Sequence, residues 1–145
     1  MEAAPLEKIG QIIAWYQSKR DLAPTDIETL INAARRLSCE IYFFANEVGD
    51  LHSDMLSSEY RRKSETAKFI QGAKQNDEKL SIAQIEKDAQ IALDDLHKEE
   101  MQAASMYRSA MLIYQSAQSV HEQLRQHISY LKEEKRQEQT NGQNA

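Results

Sequence analysis

Two runs of apolar residues at alternating steps of three and four govern what this chain can fold into. The first is Ile27, Leu30, Ala34, Leu37, Ile41, Phe44, Val48, Leu51 and Met55. The second is Ile82, Ile85, Ala89, Ala92, Leu96, Glu99, Ala103, Met106, Ala110, Ile113, Ala117, Val120, Leu124, His127 and Leu131, with polar residues only at Glu99 and His127. Steps averaging 3.5 residues put every member on one helical stripe, the signature of helices that pack along a seam. No segment shows sustained period-two alternation, so no strand is expected. The fold class that follows is all-α. It comprises a short N-terminal helix plus a long antiparallel helical hairpin with coiled-coil seams, oligomerising through helix packing.

Local signals set the boundaries. Pro5 suits a first helical turn, and Leu6, Ile9, Ile12, Ile13 and Tyr16 follow at helical spacing, predicting a short helix over 5–20. Asp21-Leu22-Ala23-Pro24 ends it, and Thr25-Asp26-Ile27-Glu28 reads as a capping box with Thr25 as N-cap. A long helix over 26–72 carries the first seam, which slips beyond Met55 to Leu56, Tyr60, Ala67 and Ile70. The polar stretch 73–81 reads as the hairpin loop, and Ser81-Ile82-Ala83-Gln84 as a second capping box. The second seam predicts a long helix over 82–136, roughly 80 Å at 1.5 Å per residue, with Glu99 as the candidate for a break. The single helical domain is therefore 1–132, and the polar residues 137–145 are expected to form a flexible tail. Tyr42, Phe43, Tyr107, Tyr114 and Tyr130 widen the apolar stripes, which predicts burial against further helices and a homo-oligomer.

Composition excludes several classes. Only four Gly and two Pro occur in 145 residues, which permits long helices. Cys39 is the single cysteine, which excludes an internal disulfide and a multi-cysteine metal site; its apolar surroundings read as those of a buried structural thiol. No apolar run approaches a membrane span, and no secretory leader is evident, so the cytoplasm is the expected location. A net charge of −5 argues against a generic basic nucleic-acid binder. The charge is segregated, however: residues 59–79 hold six basic residues against four acidic ones.

Catalytic chemistry finds little support. Glu47-x-x-Asp50 puts two carboxylates on one helical face, like half of the magnesium site of all-α nucleotide pyrophosphohydrolases, but no second pair completes it. Asp94-x-x-His97 resembles half of a di-iron carboxylate site, and no other histidine repeats the spacing. His127, on the seam, reads as a hydrogen-bonded core or interface histidine. No phosphate loop or nucleophile triad is recognisable. The chain reads as a non-enzyme with no cofactor and no metal.

The segment Ser57 to Phe69, with cations continuing through Lys74 and Lys79, is the most suggestive. Single-stranded nucleic acid needs cations for phosphates and rings on which bases stack. Tyr60, Arg61, Arg62, Lys63, Lys68, Lys74 and Lys79 form the candidate nucleic-acid-binding set. The competing reading is a solvated helix end with Tyr60 and Phe69 in the core. A second basic cluster, Arg125, Lys132, Lys135 and Arg136, reads as cations complementing the dipole at a helix end.

A long apolar helix ending in Glu59-Tyr60-Arg61-Arg62-Lys63, a short connection to Lys79-Leu80-Ser81, and a terminal helix with Ser129-Tyr130-Leu131-Lys132 resemble a family. Over roughly residues 25–132 the layout is similar to the small helical recombination mediators of tailed phages, the UvsY-like group. The resemblance implies a ring-like homo-oligomer that binds single-stranded DNA. It also implies two protein partners, a RecA-type recombinase that is loaded and the single-strand-binding protein that covers the strand, in the cytoplasm of a bacterial cell infected by phage. By position, Arg61, Arg62 and Lys63 would match the family's basic DNA-contacting segment, with Lys68, Lys74 and Lys79 as extensions. The acidic composition departs from that pattern. The alternative, which needs no family, is a structural or adaptor coiled coil for phage assembly or partner docking, without DNA binding.

Overall fold

In a computed structural model the described residues are 3–19 and 26–144. They form four helices: α1 (Pro5–Lys19), α2 (Ile27–Asn76), α3 (Ile82–Ala92) and α4 (Asp94–Gln143), with no strand among the described residues. The helix α2 packs against α4 as a hairpin, so the all-α hairpin expected from the seams is present.

The boundaries differ from the sequence expectation in instructive ways. Because α2 begins at Ile27, Asp26 precedes it, and the Asp26 carbonyl accepts the Leu30 N–H at 3.2 Å. Thr25 and residues 20–24 lie outside the described residues. At the far end α2 continues to Asn76, shortening the connection to 77–81, where the Asp77 carboxylate accepts the Lys79 N–H at 3.0 Å. Ser81 caps α3 as expected, its hydroxyl accepting the Gln84 N–H at 3.2 Å. The reciprocal half of that box is not made, because the Gln84 side chain donates to Asp88 at 2.9 Å.

The predicted single helix over 82–136 is two helices, and the break falls at Leu93 rather than Glu99. Leu93 serves both: its N–H donates to the Ala89 carbonyl at 2.9 Å, and its own carbonyl accepts the His97 N–H at 3.2 Å. Asp94 and Asp95 open α4, where carboxylates favour a helix N-terminus. That charge preference competes with continuity and settles the break there. At its other end α4 runs to Gln143, through most of the expected tail. Its last turn therefore carries no basic residue, so the cluster Arg125 to Arg136 is not a set of helix-terminal cations.

Two compact units divide the chain, Met1–Glu47 with Leu112–Ala145, and Val48–Met111. In the first, α1 contributes Ile9, Ile12 and Tyr16 to a core with Leu30, Ala33, Ala34, Leu37 and Phe44 of α2 and Ala117, Leu124 and Ile128 of α4. Every one of the five α2 residues except Ala33 belongs to the predicted seam, and burying each leucine stabilises by about 1.5–3 kcal/mol. Alanines at 33, 34 and 117 let the helix backbones approach. The Tyr16 hydroxyl lies 3.4 Å from His127 Nδ1, joining α1 to α4, so His127 is the hydrogen-bonded histidine its seam position predicts. Cys39, in contrast, is exposed. It lies between Leu37 and Ile41 in sequence, which turns it away from the face that Leu37 buries.

The second unit has a thinner core. Its buried side chains are Val48, Ile85, Ala89 and Ala110. Here the predicted continuation of the first seam largely fails: Leu56, Tyr60 and Ala67 are exposed, and of its four members Ile70 alone is half-buried. The half-buried residues of this stretch include Ser58, Glu59, Arg62, Glu65 and Thr66, which are polar. On α4 Glu99 and Met106 are exposed while Glu100 and Tyr107 turn inward. Polar pairs and ring contacts, such as His52 with Tyr107 at 4.9 Å between centroids, take the place of an apolar seam.

Candidate nucleic-acid interface

The candidate residues occupy the last turns of α2 and the connection after it, all within the second unit. Helical spacing separates them. Tyr60, Lys63, Ala67 and Lys74 follow one another at steps of three, four and seven and share the solvent face. All four are exposed, as are Arg61, Lys68 and Lys79. Tyr60 is 75% exposed, which rules out the reading that put it in the core. Phe69 is half-buried. An exposed tyrosine next to Arg61 and one helical turn from Lys63 leaves a ring face open for stacking, at about 1–3 kcal/mol per stacked base.

Arg62 differs from its neighbours. Its side chain is only 23% exposed and pairs through Nε with the Glu100 carboxylate of α4. The Arg62 carbonyl also accepts the Thr66 hydroxyl at 2.7 Å. It is therefore a brace between α2 and α4 in this unit. Arg61 reaches Glu99 at 3.1 Å with both side chains more than half exposed. Lys63 pairs with Glu59, and Lys68 with Glu65 at 3.1 Å, both along α2. The hydrogen bond from the Lys63 ammonium, and then its charge, hold the Glu59 carboxyl below its ordinary pKa. Lys74 and Lys79 make no ion pair among the described residues.

These pairings change the electrostatic reading. Six cations over 59–79 face Glu59, Glu65, Asp77 and Glu78 in the segment itself, and Glu99 and Glu100 arrive from α4. The local charge is balanced, which the linear sequence did not reveal because Glu99 and Glu100 are distant along it. Exposed ion pairs contribute only about 0–1 kcal/mol, so a phosphate can compete for Arg61, Lys63 and Lys68.

The other constellations stay apart. Glu47 and Asp50 are both exposed, and the Asp94 carboxylate pairs with Lys98 at 2.8 Å. No group of three or more metal-ligating side chains occurs among the described residues. No described helix is long and apolar enough to cross a membrane. Arg125 and Arg136 pair along α4 with Glu122 and Glu133 at 3.5 and 3.2 Å. No family model, curated protein or solved structure matches the chain.

Proposed function

We propose that this protein is a recombination mediator that holds single-stranded DNA on the outer face of α2 and helps load a RecA-type recombinase. The observation that carries the reading is the exposure of Tyr60 amid Arg61, Lys63, Lys68 and Lys74. The ring supplies a stacking platform, and the cations follow the phosphates. The carboxylates paired with them limit affinity. Weak, salt-sensitive holding suits a protein that must give the strand away, and self-association would multiply the contacts along one strand. The layout shared with the UvsY-like mediators supports the recombinase and the single-strand-binding protein as partners.

Fluorescence anisotropy of a labelled oligo-dT strand tests this. The native protein binds at low salt, and Tyr60→Ala weakens binding by about tenfold, the loss of one stacked base. Unchanged affinity in Tyr60→Ala removes the ring from the site, and no binding at low salt removes the reading.

A second reading is favoured by a separate observation. Tyr42 is 70% exposed and Phe43 54%, their rings in edge-to-face contact at 5.8 Å, and Met101 and Leu112 are similarly exposed. Large apolar side chains left in water on a regular helix suit an adaptor that docks against other helices. Absence of DNA binding together with a self-associating protein would select it.

A further inference from the structure

The first unit holds a cleft between α1 and α2 that the reading above does not use. Gln11, Ile12 and Trp15 line it from α1, and Thr29, Asn32 and Arg36 from α2. Its volume is about 380 Å³, within the range of small-molecule sites. The lining combines an aromatic ring, two side-chain amides and a guanidinium. Trp15, the single tryptophan of the chain, is half-buried and presents an aromatic surface beside the buried Ile12. Gln11 and Asn32 are exposed and bring amides that both donate and accept. Arg36 is exposed and has no carboxylate partner among the described residues, unlike Arg61 and Arg62.

Four carboxylates stand one helical turn from lining residues, Glu7, Asp26, Glu28 and Glu40, and Glu40 is paired with Lys8 at 3.7 Å. Glu7 accepts the Gln11 amide at 3.5 Å, and Asp26 accepts the Thr29 hydroxyl at 3.4 Å. They oppose a polyanion while leaving one guanidinium for one negative charge. A planar ring, a hydrogen-bonding edge and a single anionic ester describe one nucleotide.

We propose that this cleft binds one nucleotide. The base lies against Trp15, its edge is met by Gln11 and Asn32, and the phosphate rests on Arg36. The site is independent of the residues over 59–79, so it stands or falls separately from the strand-binding reading. The nucleotide is either free or a unit of a single strand.

Trp15 fluorescence reports on the cleft directly, because no other tryptophan contributes. The full chain is titrated with dTMP, thymidine, inorganic phosphate, dTTP and a dT oligomer. Saturable change with dTMP is expected, with thymidine or phosphate alone about tenfold weaker or worse, since each lacks half the contacts. The dTTP polyanion should bind no tighter than dTMP. Arg36→Glu abolishes the response. Asn32→Asp, which retains Arg36 but adds a carboxylate, weakens it and serves as the second variant. Arg61→Glu with Lys63→Glu leaves the dTMP response as in the native chain, which separates this site from the α2 segment. A dT oligomer that binds more tightly than dTMP assigns the strand as the source, and equal affinity per nucleotide assigns the free nucleotide. No saturable change with either, or an unaltered response in Arg36→Glu, overturns the proposal.

Discussion

Arg62 offers a quantitative test of how the second unit holds together. Its side chain and that of Glu100 are each about a quarter exposed, and they join α2 to α4 where the apolar seam has lapsed. Exposed ion pairs contribute about 0–1 kcal/mol, whereas removing one partner of a fully buried pair costs about 3–5 kcal/mol. Intermediate burial places the Arg62–Glu100 coupling at about 1–2 kcal/mol. The Arg61–Glu99 pair is more than half exposed on both sides, so its coupling should stay below about 0.5 kcal/mol. Urea unfolding of the native chain, Arg62→Ala, Glu100→Ala and the double variant, at one protein concentration, gives the coupling from a double-mutant cycle. The same cycle on Arg61 and Glu99 is the control. Equal couplings for the two pairs, or one near zero for Arg62 and Glu100, would refute the bracing role. The outcome also bears on function, because Arg62→Glu would set two carboxylates facing each other and disturb the unit whatever its effect on DNA.

Two further substitutions probe the fold. Leu37 is fully buried in the first unit, so Leu37→Ala should lower unfolding stability by about 2–5 kcal/mol in a denaturant titration; a loss under 1 kcal/mol, about the transfer term of one methylene, would mean that this core is not packed as described. Gly49 lies inside α2 with nothing beyond its chain neighbours and its own helix backbone within 4 Å of where a Cβ would sit, so Gly49→Ala should raise stability by about 0.5–1 kcal/mol. Destabilisation instead would show that this face of α2 is closely packed against another chain.

Much of the fold could be read from the seams, and the exceptions have physical causes. Leu30, Ala34, Leu37, Phe44 and Val48 are buried where an apolar stripe predicts, as are Ala110, Ala117 and Leu124. Periodicity failed where it met a competing local preference. The paired aspartates at 94 and 95 favour starting a helix, so the stripe over 82–136 is interrupted at Leu93 even though the spacing of three and four continues across it. Beyond that break Glu100 and Tyr107, rather than Glu99 and Met106, turn inward. In α2 the stripe past Met55 keeps only Ile70 half-buried and leaves Leu56, Tyr60 and Ala67 in water, because Ser58, Glu59, Arg62, Glu65 and Thr66 take the inner face.

The candidate interface was legible in part. Residue types alone identified the basic and aromatic segment, and Tyr60 lies exposed within it. The carboxylates of Glu99 and Glu100, which neutralise Arg61 and Arg62, come from α4 and depend on hairpin register, which composition does not encode. The cleft beside Trp15 was missed for a similar reason. Gln11, Trp15, Asn32 and Arg36 are unremarkable until the α1–α2 packing brings them together.

The central claim is that the exposed cations of α2 and its following turn take the phosphates of a single strand, and salt dependence tests it most directly. Each phosphate neutralised on a single strand contributes about −0.7 to the slope of log affinity against log salt. Arg61, Lys63, Lys68, Lys74 and Lys79 are exposed, so full engagement of these five in one protomer gives a slope near −3.5. Replacing Lys63, Lys74 and Lys79 by Gln should make that slope shallower by about 2 and weaken oligo-dT binding at every salt concentration. An unchanged slope in the triple variant, or no binding by the native chain at low salt, would contradict the account.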